Sequence, residues 1–143
     1  MARSPDYKAG LAVSLGASPD FFEPFGGNCT SWYERLADQV LFMNHVGVNP
    51  MVDRSKRPHE LPSVNVRVVA ERDDGFVVSG AKMVGTAAVF THCNLVFSSS
   101  PVPLEEDDSE YALVFVVPTE AEGLKMISRP SYELRANQGT PFD

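Results

Sequence analysis

The chain has 143 residues, enough for one ordinary domain, and with 43% hydrophobic and 22% charged residues it is not a disordered sequence. A formal net charge of −7 argues against nucleic acid as a partner, because phosphate-backbone binding needs clustered Lys and Arg. No run of about 18 apolar residues is available to span a membrane, and the N-terminus has no basic region leading into an apolar stretch.

In chain order, the first expected element is a helix. Ser4 suits its cap and Pro5 its first turn. Tyr7, Leu11 and Leu15 recur every four residues as one apolar stripe, and Gly16 is a stop signal. A loop with Pro19, Pro24, Gly26 and Gly27 follows. Ser31 and Glu34 have capping-box spacing, so a second helix is predicted to begin near Ser31. Trp32, Leu36, Val40 and Met43 lie along its face, His45 falls at its end, and Asn49-Pro50 closes it.

Residues 51–62 read as a charged loop. From Ser63 the pattern changes to period two, with Val64, Val66 and Val68 alternating, then an Asp73-Asp74-Gly75 turn and a returning strand with Gly80 as a bulge position. Further strands are predicted at Cys93–Phe97, Tyr111–Val117 and Leu124–Ile127, with Leu104–Glu110 as a solvated acidic excursion. Five or six short strands behind two helices point to a small barrel or sandwich. Cys29 and Cys93 form no CxxC pair; two unpaired reduced thiols, and hence a cytoplasmic setting, are expected. Both ends of the chain read like cuts through a longer protein.

Several chemistries lack their motifs. There is no GxGxxG, no P-loop, no HExxH, no clustered Cys/His metal site and no GxSxG elbow. Three polar residues near apolar stretches remain. Arg3 and Tyr7 share a helix face if the first helix reaches back to Arg3, and His45 follows an apolar run. A guanidinium, a phenol and an imidazole can together hold a phenolate, although a histidine at a helix end is more often a capping residue.

The string Asp73-Asp74-Gly75-Phe76-Val77-Val78-Ser79-Gly80-Ala81-Lys82-Met83-Val84-Gly85-Thr86 resembles the β-domain signature of acyl-CoA dehydrogenase-like flavoproteins; read alone, it is equally an ordinary hairpin. Arg3-Ser4-Pro5-Asp6-Tyr7, Asn44-His45-Val46-Gly47-Val48-Asn49-Pro50, Val52-Asp53-Arg54, Thr91-His92 and Arg129-Pro130-Ser131-Tyr132-Glu133 resemble, in order and spacing, the 4-hydroxyphenylacetate 3-monooxygenase family, over nearly the whole chain.

The resemblance implies an acyl-CoA dehydrogenase-like fold. It makes the fold class mainly β with N-terminal helices: residues 1–50 would end a helical domain, residues 51–143 would form the middle β-barrel domain, and a C-terminal helical bundle would be absent. It also implies a two-component monooxygenase that takes reduced FAD (FADH2) from a separate flavin reductase and hydroxylates a phenol ortho to its oxygen, as a homo-oligomer. Arg3, Tyr7 and His45 match the residues that contact the phenolic oxygen. His45, Val46, Gly47, Met51, Val52, Asp53, Arg54 and Thr86 match the flavin site, and Ser98 and Ser99 fall where a loop covers substrate. Met51 departs from the family, many of whose members carry a second proline there.

Three other readings compete. A lyase resembling 4-hydroxybutyryl-CoA dehydratase needs an iron–sulfur cluster, but the Arg3–Tyr7 segment contains no cysteine. An acyl-CoA dehydrogenase-like oxidoreductase explains the Gly-x-Lys string but not the Arg3–Tyr7 or Asn44-His45 segments. An inactive structural fragment is the third.

Overall fold

The computed structural model of the chain describes residues 5–98 and 103–131. Two helices come first, α1 (Pro5–Ala17) and α2 (Gly26–Asp38). They pack closely where α1 lacks a side chain: a Cβ on Gly16 would lie 2.5 Å from Tyr33 Cγ. Gly16, read as a stop signal, is therefore a helix–helix contact, and α1 runs one residue past it.

Helix α2 begins five residues before the expected start, and Ser31 and Glu34 lie inside it. Its first residue, Gly26, is buried against the preceding 3-10 turn (Pro19–Phe22), and a Cβ there would meet the Pro19 carbonyl oxygen at 2.6 Å. Tertiary contact with that turn, and not the capping box, sets where the helix starts.

The C-terminus of α2 also departs from the periodicity. The Leu41 N–H donates to the Leu36 carbonyl at 3.1 Å and the Val40 N–H to the Ala37 carbonyl at 3.4 Å. This is the paired closure of a Schellman motif, with Val40 in the left-handed position that glycine usually takes (φ 52°). The chain reverses there, so Met43 and His45 belong to a strand, β1 (Met43–Val46), and not to the end of a helix.

Four more strands follow: β2 (Arg67–Arg72), β3 (Gly75–Ser79), β4 (Cys93–Phe97) and β5 (Val114–Pro118). The Asp73-Asp74-Gly75 turn joins β2 to β3 as expected, and Cys93–Phe97 is a strand as read. The ladder irregularity falls between Val68 and Ala70; Gly80 follows β3 at φ 134°, where its bare Cα passes close to the Asn65 carbonyl. Tyr111 lies in a 3-10 turn (Glu106–Tyr111) and β5 starts only at Val114. No strand forms at Leu124–Ile127. Ile127 is 93% exposed, and that segment has no neighbour to pair with among the described residues.

Among the described residues the strands make two separate sheets and no closed barrel. One is three-stranded, in the order β1-β4-β5, with β1 parallel to β4 and β4 antiparallel to β5; the other is the β2–β3 hairpin. Parallel pairing of β1 with β4 needs a long crossover, and the hairpin lies within it. The core joins both helices to the larger sheet through Ala12, Leu36, Met43, Cys93 and Leu95. Cys29 and Cys93 are free thiols. No helix among the described residues is long and apolar enough to cross a membrane.

The acidic excursion is not simply solvated. Asp108 is wholly buried. It accepts hydrogen bonds from His59 Nδ1 at 2.8 Å, from the His59 backbone N–H at 3.3 Å and from the Glu105 backbone N–H at 3.3 Å. Arg57 lies 3.4 Å from Oδ2, the oxygen that also accepts from the Glu105 N–H, and its guanidinium pairs with the Glu105 side chain. Burial pushes the Asp108 carboxyl up, but its His59 and backbone hydrogen bonds and the His59 charge outweigh this and hold it below the usual carboxylate range. This clasp ties the 57–60 turn to the 106–111 turn, and so fixes the far end of the loop that leaves β1.

Candidate active site

The site is built around β1. Side chains alternate along a strand, so Asn44 and His45 leave it on opposite faces. Because β1 is an edge strand among the described residues, one side chain from α1 reaches both: Lys8 Nζ donates to Asn44 Oδ1 at 2.7 Å and contacts His45 Nδ1 at 2.6 Å. Asn44 is buried and donates to Asn94 Oδ1 at 3.4 Å, and Asn94 donates to Thr119 Oγ1 at 3.1 Å. The His45 ring stacks on Phe97, with centroids 6.2 Å apart and planes 24° from parallel.

Beyond His45 the strand runs into the loop assigned to flavin. Val46 and Gly47 are buried. A Cβ on Gly47 would overlap the Phe97 ring, so the same phenylalanine packs on both His45 and Gly47. Lys82, from the Gly-x-Lys string, donates to the Gly47 carbonyl at 3.2 Å and to Asn49 Oδ1 at 2.6 Å. The Met83 N–H adds a backbone bond to the Val48 carbonyl at 2.8 Å. Burial lowers the Lys82 pKa to about 8.

In the loop itself, Val52 is half-buried and Met51 is 80% exposed. The Asp53 carboxylate accepts from the Ser55 hydroxyl at 2.6 Å and the Ser55 N–H at 3.0 Å, and those bonds hold its pKa below the usual range. Asp53 thus shapes the turn, and Arg54 projects from it, exposed and without an ion pair among the described residues.

Thr86 is exposed on a turn flanked by two non-glycine residues in the left-handed region, Val84 (φ 57°) and Ala87 (φ 66°). Such strain persists only where surroundings impose it, and it concentrates at functional sites. The turn meets β1 at its neighbour Gly85, where a Cβ would lie 3.6 Å from Val46 Cγ2. The hairpin string and the His45 segment, separate in sequence, are therefore adjacent in space.

Not every candidate falls within this description. Arg3 and Ser99 lie outside the described residues, as does the side chain of Tyr7, whose backbone belongs to α1. Lys8, the next residue after Tyr7, brings that end of α1 to His45. Ser98 is half-buried; its N–H donates to the Leu113 carbonyl at 2.9 Å and its hydroxyl bonds the Tyr111 carbonyl, so it helps close the connection from β4 to β5. A cleft of about 430 Å³ lies at the other end of β4 between Trp32, Arg35, His92 and Thr119, and none of the candidate residues lines it.

The residues that sequence reasoning did not single out are Lys8, Phe97 and Lys82. Lys82 stood inside the quoted hairpin string. Lys8 and Phe97 carried no local signal, because their roles arise from the pairing of α1 and β4 with β1.

Comparison with known proteins places this arrangement. The family model described as 4-hydroxyphenylacetate 3-hydroxylase N terminal matches residues 1–143. A 4-hydroxyphenylacetate 3-monooxygenase oxygenase component from Klebsiella oxytoca is 46% identical over all of this chain; the chain spans 28% of that relative's length. A crystal structure of such an oxygenase component, complexed with FAD and 4-hydroxyphenylacetate, superposes with a TM-score of 0.73 at 34% identity, covering 86% of this chain and 26% of that one. An archaeal 4-hydroxybutyryl-CoA dehydratase from N. maritimus has a TM-score of 0.74 at 24% identity over 92% of this chain and 28% of its own, a likeness of fold alone.

Proposed function

This chain belongs to the 4-hydroxyphenylacetate 3-hydroxylase N-terminal family, and from that premise we propose that it supplies part of the active site of a two-component monooxygenase that hydroxylates a phenol ortho to its oxygen. The substrate is a phenol such as 4-hydroxyphenylacetate, the product a catechol, and FAD is used in its reduced form, delivered by a separate flavin reductase. The observation that carries this reading is the meeting of the His45 segment with the Gly-x-Lys hairpin through Lys82, Asn49 and Gly47. Two stretches matched separately, one to acyl-CoA dehydrogenase-like flavoproteins and one to the hydroxylase family, are thereby bonded to each other.

The residues present suit FAD. Arg54, exposed and without an ion pair among the described residues, suits a pyrophosphate by charge and fork geometry. Thr86 offers an exposed hydroxyl for the flavin ring, and His45, Val46, Gly47, Met51, Val52 and Asp53 complete the proposed flavin site. When bound, reduced flavin supplies the activation of oxygen. This chain's residues hold the phenol: Arg3, Tyr7 and His45 gather at its oxygen, where stabilising developing negative charge makes the ortho carbon more nucleophilic. Ser98 and Ser99 belong to the substrate cover.

The wider architecture follows the same reading. Residues 1–50 end a helical domain and residues 51–143 form the β domain, an acyl-CoA dehydrogenase-like barrel of which the two sheets are portions, with β1 joining the first segment to it. The assembly is a cytoplasmic homo-oligomer. A dehydratase reading has the fold likeness in its favour, but among the described residues no group of three His, Cys, Asp or Glu is placed to hold a metal ion.

The test is product formation by the protein carrying this chain at the length of its relatives, given enzymatically reduced FAD, oxygen and a panel of phenols. A catechol is the expected product. Hydrogen peroxide without catechol across the panel would overturn the hydroxylase reading.

A further inference from the structure

We propose that Lys8 is a positioning residue for His45: it occupies Nδ1, so that His45 carries its proton on Nε2 and meets a phenolic oxygen as a hydrogen-bond donor, not as a base. The inference rests on the hydroxylase reading for what His45 faces, but the Lys8–His45 pairing stands on geometry alone.

A lysine ammonium has three donors and no acceptor. At 2.6 Å from Nδ1 it therefore takes the ring's lone pair at that nitrogen, and a neutral imidazole so engaged has its N–H at Nε2. Lys8 cannot drift from this position without losing the 2.7 Å bond to Asn44 Oδ1. Asn44 is 2% exposed and is held in turn through Asn94 to Thr119. The chain Thr119–Asn94–Asn44–Lys8 thus runs from the end of β5 through both paired strands to the edge of the sheet, each side chain accepting from the next, in the orientation that presents the Asn44 carbonyl to Lys8.

Phe97 fixes the ring plane by stacking, and Lys8 fixes which nitrogen faces the helix. The N–H of the ring is thereby assigned to Nε2. A phenol bound there is met as the phenolate. Its proton is released to bulk water on binding, and the ring neither gains nor loses one.

Nitrogen NMR of the histidine-labelled whole protein reads this directly, with the three histidines of the chain assigned by single substitution. The wild type should show His45 with an unprotonated, hydrogen-bonded Nδ1 and a protonated Nε2. Lys8→Met should move the Nδ1 resonance downfield as the bond is lost, and Lys8→Arg, which keeps a donor, should hold it near its wild-type place. A proton on Nδ1 in the wild type, or a resonance unmoved in Lys8→Met, would overturn the proposal.

With reduced FAD and substrate, Lys8→Met should lower kcat about tenfold, the value of one hydrogen bond lost from the transition state, and Lys8→Arg should restore most of it. An NMR signature as assigned in a protein that forms no catechol would sink the hydroxylase reading while supporting the Lys8 pairing.

Discussion

Lys82 Nζ donates to Asn49 Oδ1 at 2.6 Å, across 33 residues of sequence. This bond pins the segment leading into the proposed flavin loop to the stretch after β3 that leads to Thr86. Its donor is half-buried, and burial lowers its pKa to about 8. Between that value and about 10.4, the ordinary lysine value, the unfolded chain binds more protons at this site than the folded one. Stability at this position should therefore rise with pH across that window. Competitive acylation should find Lys82 half-deprotonated near pH 8, and Lys82→Met should remove the pH-dependent rise. Co-titration with the exposed lysines would refute the assignment.

His45→Ala should separate chemistry from cofactor binding. His45 is placed by Lys8 and Phe97 to serve the substrate oxygen, whereas the flavin loop has its own anchors in Lys82 and Asp53. In the protein at the length of its relatives, catechol formation should fall about 10- to 100-fold, the value of one hydrogen bond to a charged oxygen, while the affinity for FAD changes far less. Equal losses in both, or none in either, would count against the role.

Asp108→Asn should destabilise the fold in a pH-dependent way. The wild-type carboxylate is held ionised by His59 and the backbone N–H groups of His59 and Glu105. Its folded pKa lies below the unfolded value of about 3.9, so its contribution is complete above that value and is lost as the pH falls through the folded pKa. Thermal melts should therefore show Asp108→Asn well below wild type at pH 7, with the gap closing in acid. The same gap at both pH values would mean that the clasp acts through packing and not through charge.

Val40→Gly should stabilise the protein. Val40 is a β-branched residue in the left-handed position of a Schellman closure, 84% exposed, so its side chain contributes little packing. Glycine removes a steric cost of roughly 1–2 kcal/mol and returns somewhat less than 1 kcal/mol as chain entropy. A net gain of about 0.5–1 kcal/mol should appear in denaturant melts, and a loss would show that the Val40 side chain is held by something other than its own backbone.

Elements set by local chemistry were legible in the sequence. Pro5 and the Leu11–Leu15 stripe mark α1, Asp73-Asp74-Gly75 marks the β2–β3 turn, and the β-branched and aromatic run marks β4. In each case the information lies within a few residues of where it acts. The family was legible for a related reason: the order and spacing of several motifs is itself a property of the sequence.

Tertiary structure decided what depends on distant partners. The start of α2 is set by Pro19 packing on Gly26, its end by the reversal at Val40, and the buried state of Asp108 by Arg57 and His59 some 50 positions away. His45 looked like the end of a helix because the apolar residues before it fit a 3.6-residue period; it lies in a strand because β4, a distant segment, supplies the hydrogen bonds that β1 needs. Its partner Lys8 could not be read from spacing at all, since the approach of α1 to the edge of β1 exists only once both have packed on the same core.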